Sequence, residues 1–334
     1  MWIGRDNAVA ADRAGVHRVG STAVSEFALT FSDLRRPSAG VLAILGVAVC
    51  AMIWGTTWYA ITLQLGTVDP VASIVWRFGL AAAVLFAGCA LTGRSLRLNG
   101  AQHLAAAGQG AFVFAVSYAF VYAAEERVAS AIVAVIFASL AFLNLILFRV
   151  AARQKAAPAS WMGAGLGVVG VAVLSGSEVV RANLSPEALL GVVFALTAVC
   201  ASAVGNYFAW RGQKAGTEVI PATAWAMAYG TGMLALFGVA TGVEWSVAAT
   251  PGYVGSLLYL SVFGSVIAFV IYFSIARARG YALASYISAL TPPIAMGVSV
   301  LFEGAHFGWP ALAGLLLVLS GQALLIRAPR VAAV

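Results

Sequence analysis

The sequence predicts an all-α polytopic membrane protein, with ten transmembrane helices arranged as two inverted five-helix repeats around a central cavity. Three observations predict it. Ten apolar stretches run between Val41 and Ile326, each of roughly 18–26 residues, which at about 1.5 Å per residue covers a hydrocarbon core about 30 Å thick. The composition is 62% hydrophobic and 9% charged, against roughly 25% charged residues in a soluble domain. The stretches also repeat: Ala48-Val49-Cys50-Ala51 followed by Gly55 recurs as Ala198-Val199-Cys200-Ala201 followed by Gly205. At the same offset Pro70 answers to Pro221, Gly79 to Gly230, and Gly163 and Gly170 to Gly314 and Gly321. Five spans per half is an odd number, so the second half enters the membrane from the opposite side, with a site expected near the midplane where the halves meet.

The spans read as 41–64, 70–92, 101–124, 128–148, 159–177 for the first repeat (38–180) and 187–210, 219–242, 252–275, 281–302, 308–326 for the second (181–330). Residues 1–37 are polar and lack an apolar h-region, which predicts a disordered tail and no cleavable signal peptide. Charge alternates along the connections. One set carries Arg35, Arg36, Arg94, Arg97, Arg149, Arg153, Lys155, Arg211, Lys214, Arg277, Arg279, Arg327 and Arg330; the other carries only Arg127 and Arg181. Retention of basic residues on the cytoplasmic side then places both termini there. The net charge of +7 is scattered between apolar runs and forms no stripe, so no nucleic-acid partner is expected.

Within the spans, chemistry concentrates in a few places. Span one carries Trp54, Thr56, Thr57 and Trp58; span three Ser117, Tyr118 and Tyr122; span six Ser202, Asn206 and Tyr207; span eight Ser265 and Tyr272. Aromatic faces with polar tips suit a cavity for a ligand that is part apolar and part polar. Trp54, Thr57, Trp58, Tyr118, Asn206, Tyr207 and Tyr272 are therefore candidate substrate contacts. Core packing for the tryptophans and interhelical hydrogen bonding for Asn206 and Tyr207 are the competing readings. Trp161, Trp245, Trp309 and Tyr253 lie near span ends and read as interfacial anchors. Bending sites for alternating access are Gly55 and Gly205, at equivalent mid-span positions, and Pro292-Pro293, which removes two backbone donors from span nine and should kink or break it. Span five is rich in glycine at Gly163, Gly165, Gly167 and Gly170, which fits close packing either inside the protomer or between protomers.

Arg77 is the one ionisable residue deep within a span. Burial of an arginine in lipid is costly, so a functional role is the default, such as holding a substrate carboxylate in its planar fork of donors. The alternative is that it snorkels to the nearer surface. The acidic residues fall in the tail, in loops or at span ends. Glu303, at the end of span nine, is the nearest to a proton-carrying position and reads more simply as a loop carboxylate, which leaves facilitated movement or coupling through an unidentified group.

The Trp54–Ala60 run WGTTWYA, Pro70 followed by Trp76-Arg77-Phe78, and Thr291-Pro292 with Glu303 ahead of a glycine-rich last helix together resemble the drug/metabolite transporter superfamily, specifically its ten-helix EamA-type exporters, and most of all the bacterial exporters of aromatic amino acids and related metabolites. The resemblance covers about residues 40–328. It implies that spans one to four and six to nine surround the cavity while five and ten pack outside. The first half departs from the pattern, with Leu140-Ala141 where the second has Thr291-Pro292, and Ala152 where it has Glu303.

No HExxH, GxSxG or P-loop sequence is present, and Cys50, Cys89 and Cys200 all fall inside spans, so no metal, cofactor or disulfide framework is expected. The expected function is export of small metabolites, amino acids including aromatic ones, across a lipid bilayer by alternating access, and not enzymatic. A drug or nucleoside exporter and a non-transporting membrane protein are the alternatives.

Overall fold

The computed structural model describes residues 39–153, 157–181 and 185–327; the predicted tail 1–37, Lys155 and Arg330 lie outside them. Ten helical spans follow in order: α1 Ala39–Thr62, α2 Pro70–Leu91, α3 Gly100–Glu125, α4 Ser130–Ala151, α5 Pro158–Arg181, α6 Pro186–Lys214, α7 Val219–Thr241, α8 Pro251–Arg279, α9 Tyr281–Phe302 and α10 Trp309–Arg327. No strand occurs among the described residues. Eight of the ten are long and apolar enough to cross a bilayer; the apolar parts of the last two, Leu290–Phe302 and Trp309–Leu324, are shorter.

The helix starts are written locally. Asp69 caps α2 by accepting a hydrogen bond from the Val71 amide at 2.8 Å, with Pro70 in the first turn. Ser185 and Pro186 do the same for α6, and Thr250 and Pro251 for α8. Asn99 and Gln102 form a reciprocal capping box at the start of α3. These devices satisfy amides that a helix end otherwise leaves unpaired. Every loop between spans is short, so consecutive helices run antiparallel.

The repeat is visible in the backbone. α3 winds as a π-helix over Gly110–Ser117 and α8 does so over Leu260–Ile267, an offset of 150 residues. Each wide segment packs on the second helix of the opposite half, the first on α7 and the second on α2. Gly110 and Gly230 make the first crossing possible, since a methyl group at Gly110 would overlap the Ala226 carbonyl. The fourth helices also loosen at matching positions. In α4 the amides of Ala138 and Ser139 turn back to the Val135 and Ile136 carbonyls, interrupting the α-helix between Phe137 and Leu140. In α9, Pro292 and Pro293 cannot donate to the carbonyls of Ser288 and Ala289, 150 residues after that interruption. The proline pair does not break its helix, which continues from Tyr281 to Phe302; the break lies in α4, which has no proline.

The glycine-rich α5 packs against α10 inside the protomer. Gly170 meets Gly314, and Gly163 and Gly167 meet Gly321, with the facing backbones almost touching. Gly55 and Gly205 are close-approach points too: a side chain at Gly55 would collide with Ile294 of α9, and one at Gly205 with Val113 of α3. Both lie in uninterrupted helix. Tyr253 is buried, its hydroxyl 3.1 Å from that of Ser73, so it is a packing residue and not an interfacial anchor.

Candidate functional site

A cavity lies between the helices. Its lining comes from α1 (Trp54, Thr57, Trp58, Ile61), α2 (Arg77), α3 (Tyr118, Val121), α4 (Ala134, Phe137, Leu140), α6 (Ser202, Asn206), α8 (Phe269, Tyr272) and α9 (Ser288, Thr291). None comes from α5, α7 or α10. Seven of the eight residues singled out as substrate contacts therefore meet at one place.

Tyr207 is the exception. It stacks on Trp210 at 5.7 Å and meets Phe148 edge-on at 6.3 Å, away from the lining. Neighbours in a helix point about 100° apart, and here that rotation turns Tyr207 toward Phe148 and Trp210 while Asn206 lines the cavity. The same geometry separates Thr57, which lines it, from Thr56, whose hydroxyl lies 2.6 Å from that of Tyr259.

Arg77 does not snorkel: it is 1% exposed, while its neighbour Trp76 is 37% exposed. Its Nε donates to Ser265 Oγ at 3.0 Å, and one terminal nitrogen, Nη2, reaches the Tyr118 hydroxyl at 3.5 Å. The guanidinium carbon lies 4.6 Å from the Tyr118 ring centre and 5.0 Å from that of Phe78, the arrangement of a cation–π contact. The π-helical segment of α8 supplies this support. It carries Ser265, and it presents Gly264 so near Thr57 and Arg77 that a methyl group there would lie 2.8 Å from the Thr57 side chain. The Gly264 carbonyl accepts a hydrogen bond from the Trp54 indole at 3.1 Å, which fixes that ring over the cavity.

Two donors on the lining have no partner within the protein, Arg77 Nη1 and Trp58 Nε1. Among the described residues no carboxylate lines the cavity. The walls are aromatic: Trp54 lies 5.1 Å from Phe269 and 5.4 Å from Tyr272 between ring centres, and Trp58 lies 5.1 Å from Phe137. Opposite Arg77, the Asn206 amide donates to Tyr272 Oη at 3.1 Å and to Asn144 Oδ1 at 3.3 Å. Asn206 thus both lines the cavity and ties α6 to α8 and α4. Phe137, Phe269 and Ser288 sit in apolar runs with no local mark distinguishing an inward position from a lipid-facing one, and Thr291 stands out in the sequence only through its place before Pro292, not as a cavity residue. Among the described residues no group of histidine, cysteine, aspartate and glutamate side chains is arranged to hold a metal.

The structure is similar to a solved one described only as the crystal structure of a protein, with a TM-score of 0.65 and 20% identity over 86% of this chain and 99% of that one, a likeness of fold. No curated protein matches the chain. The model of the EamA-like transporter family matches twice, over residues 41–176 and 189–327, which are the two five-helix halves. Two copies of that unit, built around one shared cavity, make the chain a member of the EamA-like transporter family.

Proposed function

We propose that the chain exports small carboxylate-bearing metabolites, amino acids including aromatic ones, across a bacterial inner membrane by alternating access, with both termini in the cytoplasm. Family membership supports a membrane transporter of small molecules. The observation that carries the substrate class is Arg77, a buried cation on the cavity lining with one terminal nitrogen, Nη1, unpartnered and no acid among the described lining residues. A carboxylate there would neutralise a charge whose burial costs several kcal/mol. The Trp58 indole offers a second donor, and the rings of Trp54, Phe137, Phe269 and Tyr272 provide apolar walls for a side chain.

The basic residues support the orientation. Arg94, Arg97, Arg149, Arg153, Arg211, Lys214, Arg277 and Arg279 belong to one end of the bundle, against Arg127 and Arg181 at the other. The test is exchange of labelled phenylalanine, tryptophan, threonine and methionine in proteoliposomes, with Arg77→Ala beside the wild type. The expected result is saturable exchange in the wild type and loss of about 2–5 kcal/mol of binding in the variant, at least about thirtyfold in affinity. Equal exchange in both would remove Arg77 from the site. No exchange of any of the four would redirect the reading to nucleoside-like or lipophilic substrates.

A further inference from the structure

The free polar atoms on the cavity wall are sorted by depth, donors at one level and acceptors at another. Helix α8 measures the separation. Ser265, which holds Arg77, and Tyr272, which holds Asn206, stand seven residues apart on it, roughly 10 Å along the helix. The helix ends agree. Arg77 follows Pro70 by seven residues and Trp58 precedes Thr62 by four, which sets both within roughly 10 Å of the arginine-poor end. Asn206 precedes Lys214 by eight residues and Ser288 follows Tyr281 by seven, which sets both roughly 10–12 Å from the arginine-rich end.

The first level offers only donors, Arg77 Nη1 and Trp58 Nε1. The second offers acceptors. The Asn206 amide nitrogen is committed to Tyr272 Oη and Asn144 Oδ1, which fixes the orientation of the amide and leaves its Oδ1 without a donor among the described residues. The Ser288 hydroxyl lies on the same wall and has no partner among the described residues. Between the levels stand rings. Phe269 lies between Ser265 and Tyr272 on α8, and Trp54 lies 5.1 Å from its ring and 5.4 Å from that of Tyr272.

Donors, then rings, then acceptors complement a molecule with a carboxylate at one end, an aromatic ring in the middle and an N–H or O–H at the far end. A span of about 10 Å is too long for the neighbouring ammonium of an amino acid and comparable to the carboxylate-to-phenol reach of tyrosine. We propose that Asn206 Oδ1 and Ser288 Oγ form a specificity subsite for the side-chain donor of an aromatic amino acid, so that tyrosine and tryptophan are preferred to phenylalanine. The proposal deepens the function above and rests on the carboxylate seat at Arg77. Its physical basis is the cost of unpaired acceptors. A ring entering the cavity strips water from both oxygens; tyrosine and tryptophan return a donor to them, and phenylalanine returns none.

The experiment is titration calorimetry on the full chain in detergent with phenylalanine, tyrosine, O-methyltyrosine and tryptophan. Tyrosine and tryptophan should bind at least about tenfold tighter than phenylalanine, and O-methyltyrosine, which keeps the oxygen but not its hydrogen, no tighter than phenylalanine. Equal affinity for tyrosine and phenylalanine, or for tyrosine and O-methyltyrosine, overturns the subsite. Ser288→Ala removes a hydroxyl that ties nothing together in the protein. It should lower the tyrosine-to-phenylalanine affinity ratio at least about threefold with phenylalanine binding unchanged. Asn206→Leu should abolish the ratio. A ratio unchanged in Ser288→Ala overturns the assignment whether or not Asn206→Leu folds after losing its ties to α4 and α8. Tyramine and phenethylamine, which carry the same rings without the carboxylate, separate the two possible failures. Tyramine bound more tightly than phenethylamine, with no binding of the amino acids, retains the subsite and overturns the carboxylate reading. Amino acids bound without preference retain the carboxylate seat and overturn the subsite, and no binding of any of these compounds overturns both.

Discussion

At the scale of single residues, the cavity is defined by donors that are held in place yet left incomplete. Arg77 has three anchors, Ser265 and the rings of Phe78 and Tyr118, and one free nitrogen. Trp58 is packed on Phe137 with its indole N–H unpaired. A buried donor without a partner costs about 1–3 kcal/mol, whereas a hydrogen bond that it makes to a ligand returns about 1 kcal/mol or more. Trp58→Phe keeps the ring stack and deletes the donor. The expected outcome is a melting temperature equal to or above that of the wild type, together with roughly tenfold weaker substrate binding, read by thermal unfolding and by exchange at varied substrate concentration. A variant that is both less stable and normal in affinity would make Trp58 a packing residue. Much of this was legible in the sequence, because a charged residue and paired tryptophans stand out in apolar helices. The burial of Glu125 was not: one residue from a span end, it looks like a loop carboxylate, and only the packing of α3 against its neighbours shows it buried. The repeat also misleads at this scale. Cys50 and Cys200 occupy matching positions, yet Cys50 is fully buried against the Ala268 carbonyl and Cys200 is exposed.

At the scale of elements, the fourth helix of each half is weakened where it borders the cavity, by different chemistry. In α9 the proline pair withholds two amides, while Thr291 turns its hydroxyl back to the Ile287 carbonyl at 2.7 Å. In α4 no proline is present. The turn at Ala138–Ser139 is instead supported by the Ser139 hydroxyl on the Ile136 carbonyl at 2.7 Å and by Gln322 of α10, whose amide donates to the Ala138 carbonyl at 3.1 Å. The sequence announces the first weakness through Pro292 and Pro293 and gives no local sign of the second, because a carbonyl partner 184 residues away cannot be read from spacing. Restoring both amides with Pro292→Ala/Pro293→Ala should stiffen α9 and slow exchange several-fold more than it alters substrate affinity; unchanged turnover would remove the pair from the transport cycle. The outer pair α5 and α10 calls for the opposite expectation. A Cβ at Gly170 would lie 2.6 Å from the Gly314 carbonyl oxygen and 2.7 Å from the Val318 amide nitrogen. Gly170→Ala should therefore cost about 1–3 kcal/mol of stability, measured by unfolding in detergent, with substrate affinity unchanged because neither helix lines the cavity.

At the scale of the whole molecule, the two ends of the bundle are built from different materials. Toward the arginine-poor end lie the polar residues Gln64, Tyr122, Glu125, Ser130, Ser299 and Glu303. Toward the arginine-rich end the packing is aromatic: buried Phe148 of α4 lies 5.1 Å from Tyr281 of α9 and 5.7 Å from Trp210 of α6, and Tyr281 lies 6.3 Å from the cavity residue Tyr272 of α8. These rings join four of the helices that line the cavity, α4, α6, α8 and α9. On the alternating-access reading proposed above, these rings have to part for substrate to enter from the arginine-rich side. Phe148→Ala removes contacts worth about 3–5 kcal/mol from the closed arrangement. The expected consequence is a shift toward a state open at that end. It can be read in a background lacking Cys50, Cys89 and Cys200, with a reporter Ser288→Cys on the cavity wall and a membrane-impermeant thiol reagent applied to inside-out vesicles. Labelling should accelerate at least about tenfold on adding Phe148→Ala, since about 1.4 kcal/mol of bias already changes a population tenfold. The same reagent applied to right-side-out vesicles should label more slowly, because one cavity cannot open further to one side while remaining equally open to the other. Labelling unchanged from the inside-out face would mean that the aromatic cluster packs the bundle without gating it, and that closure at this end resides in the backbones of α4 and α9.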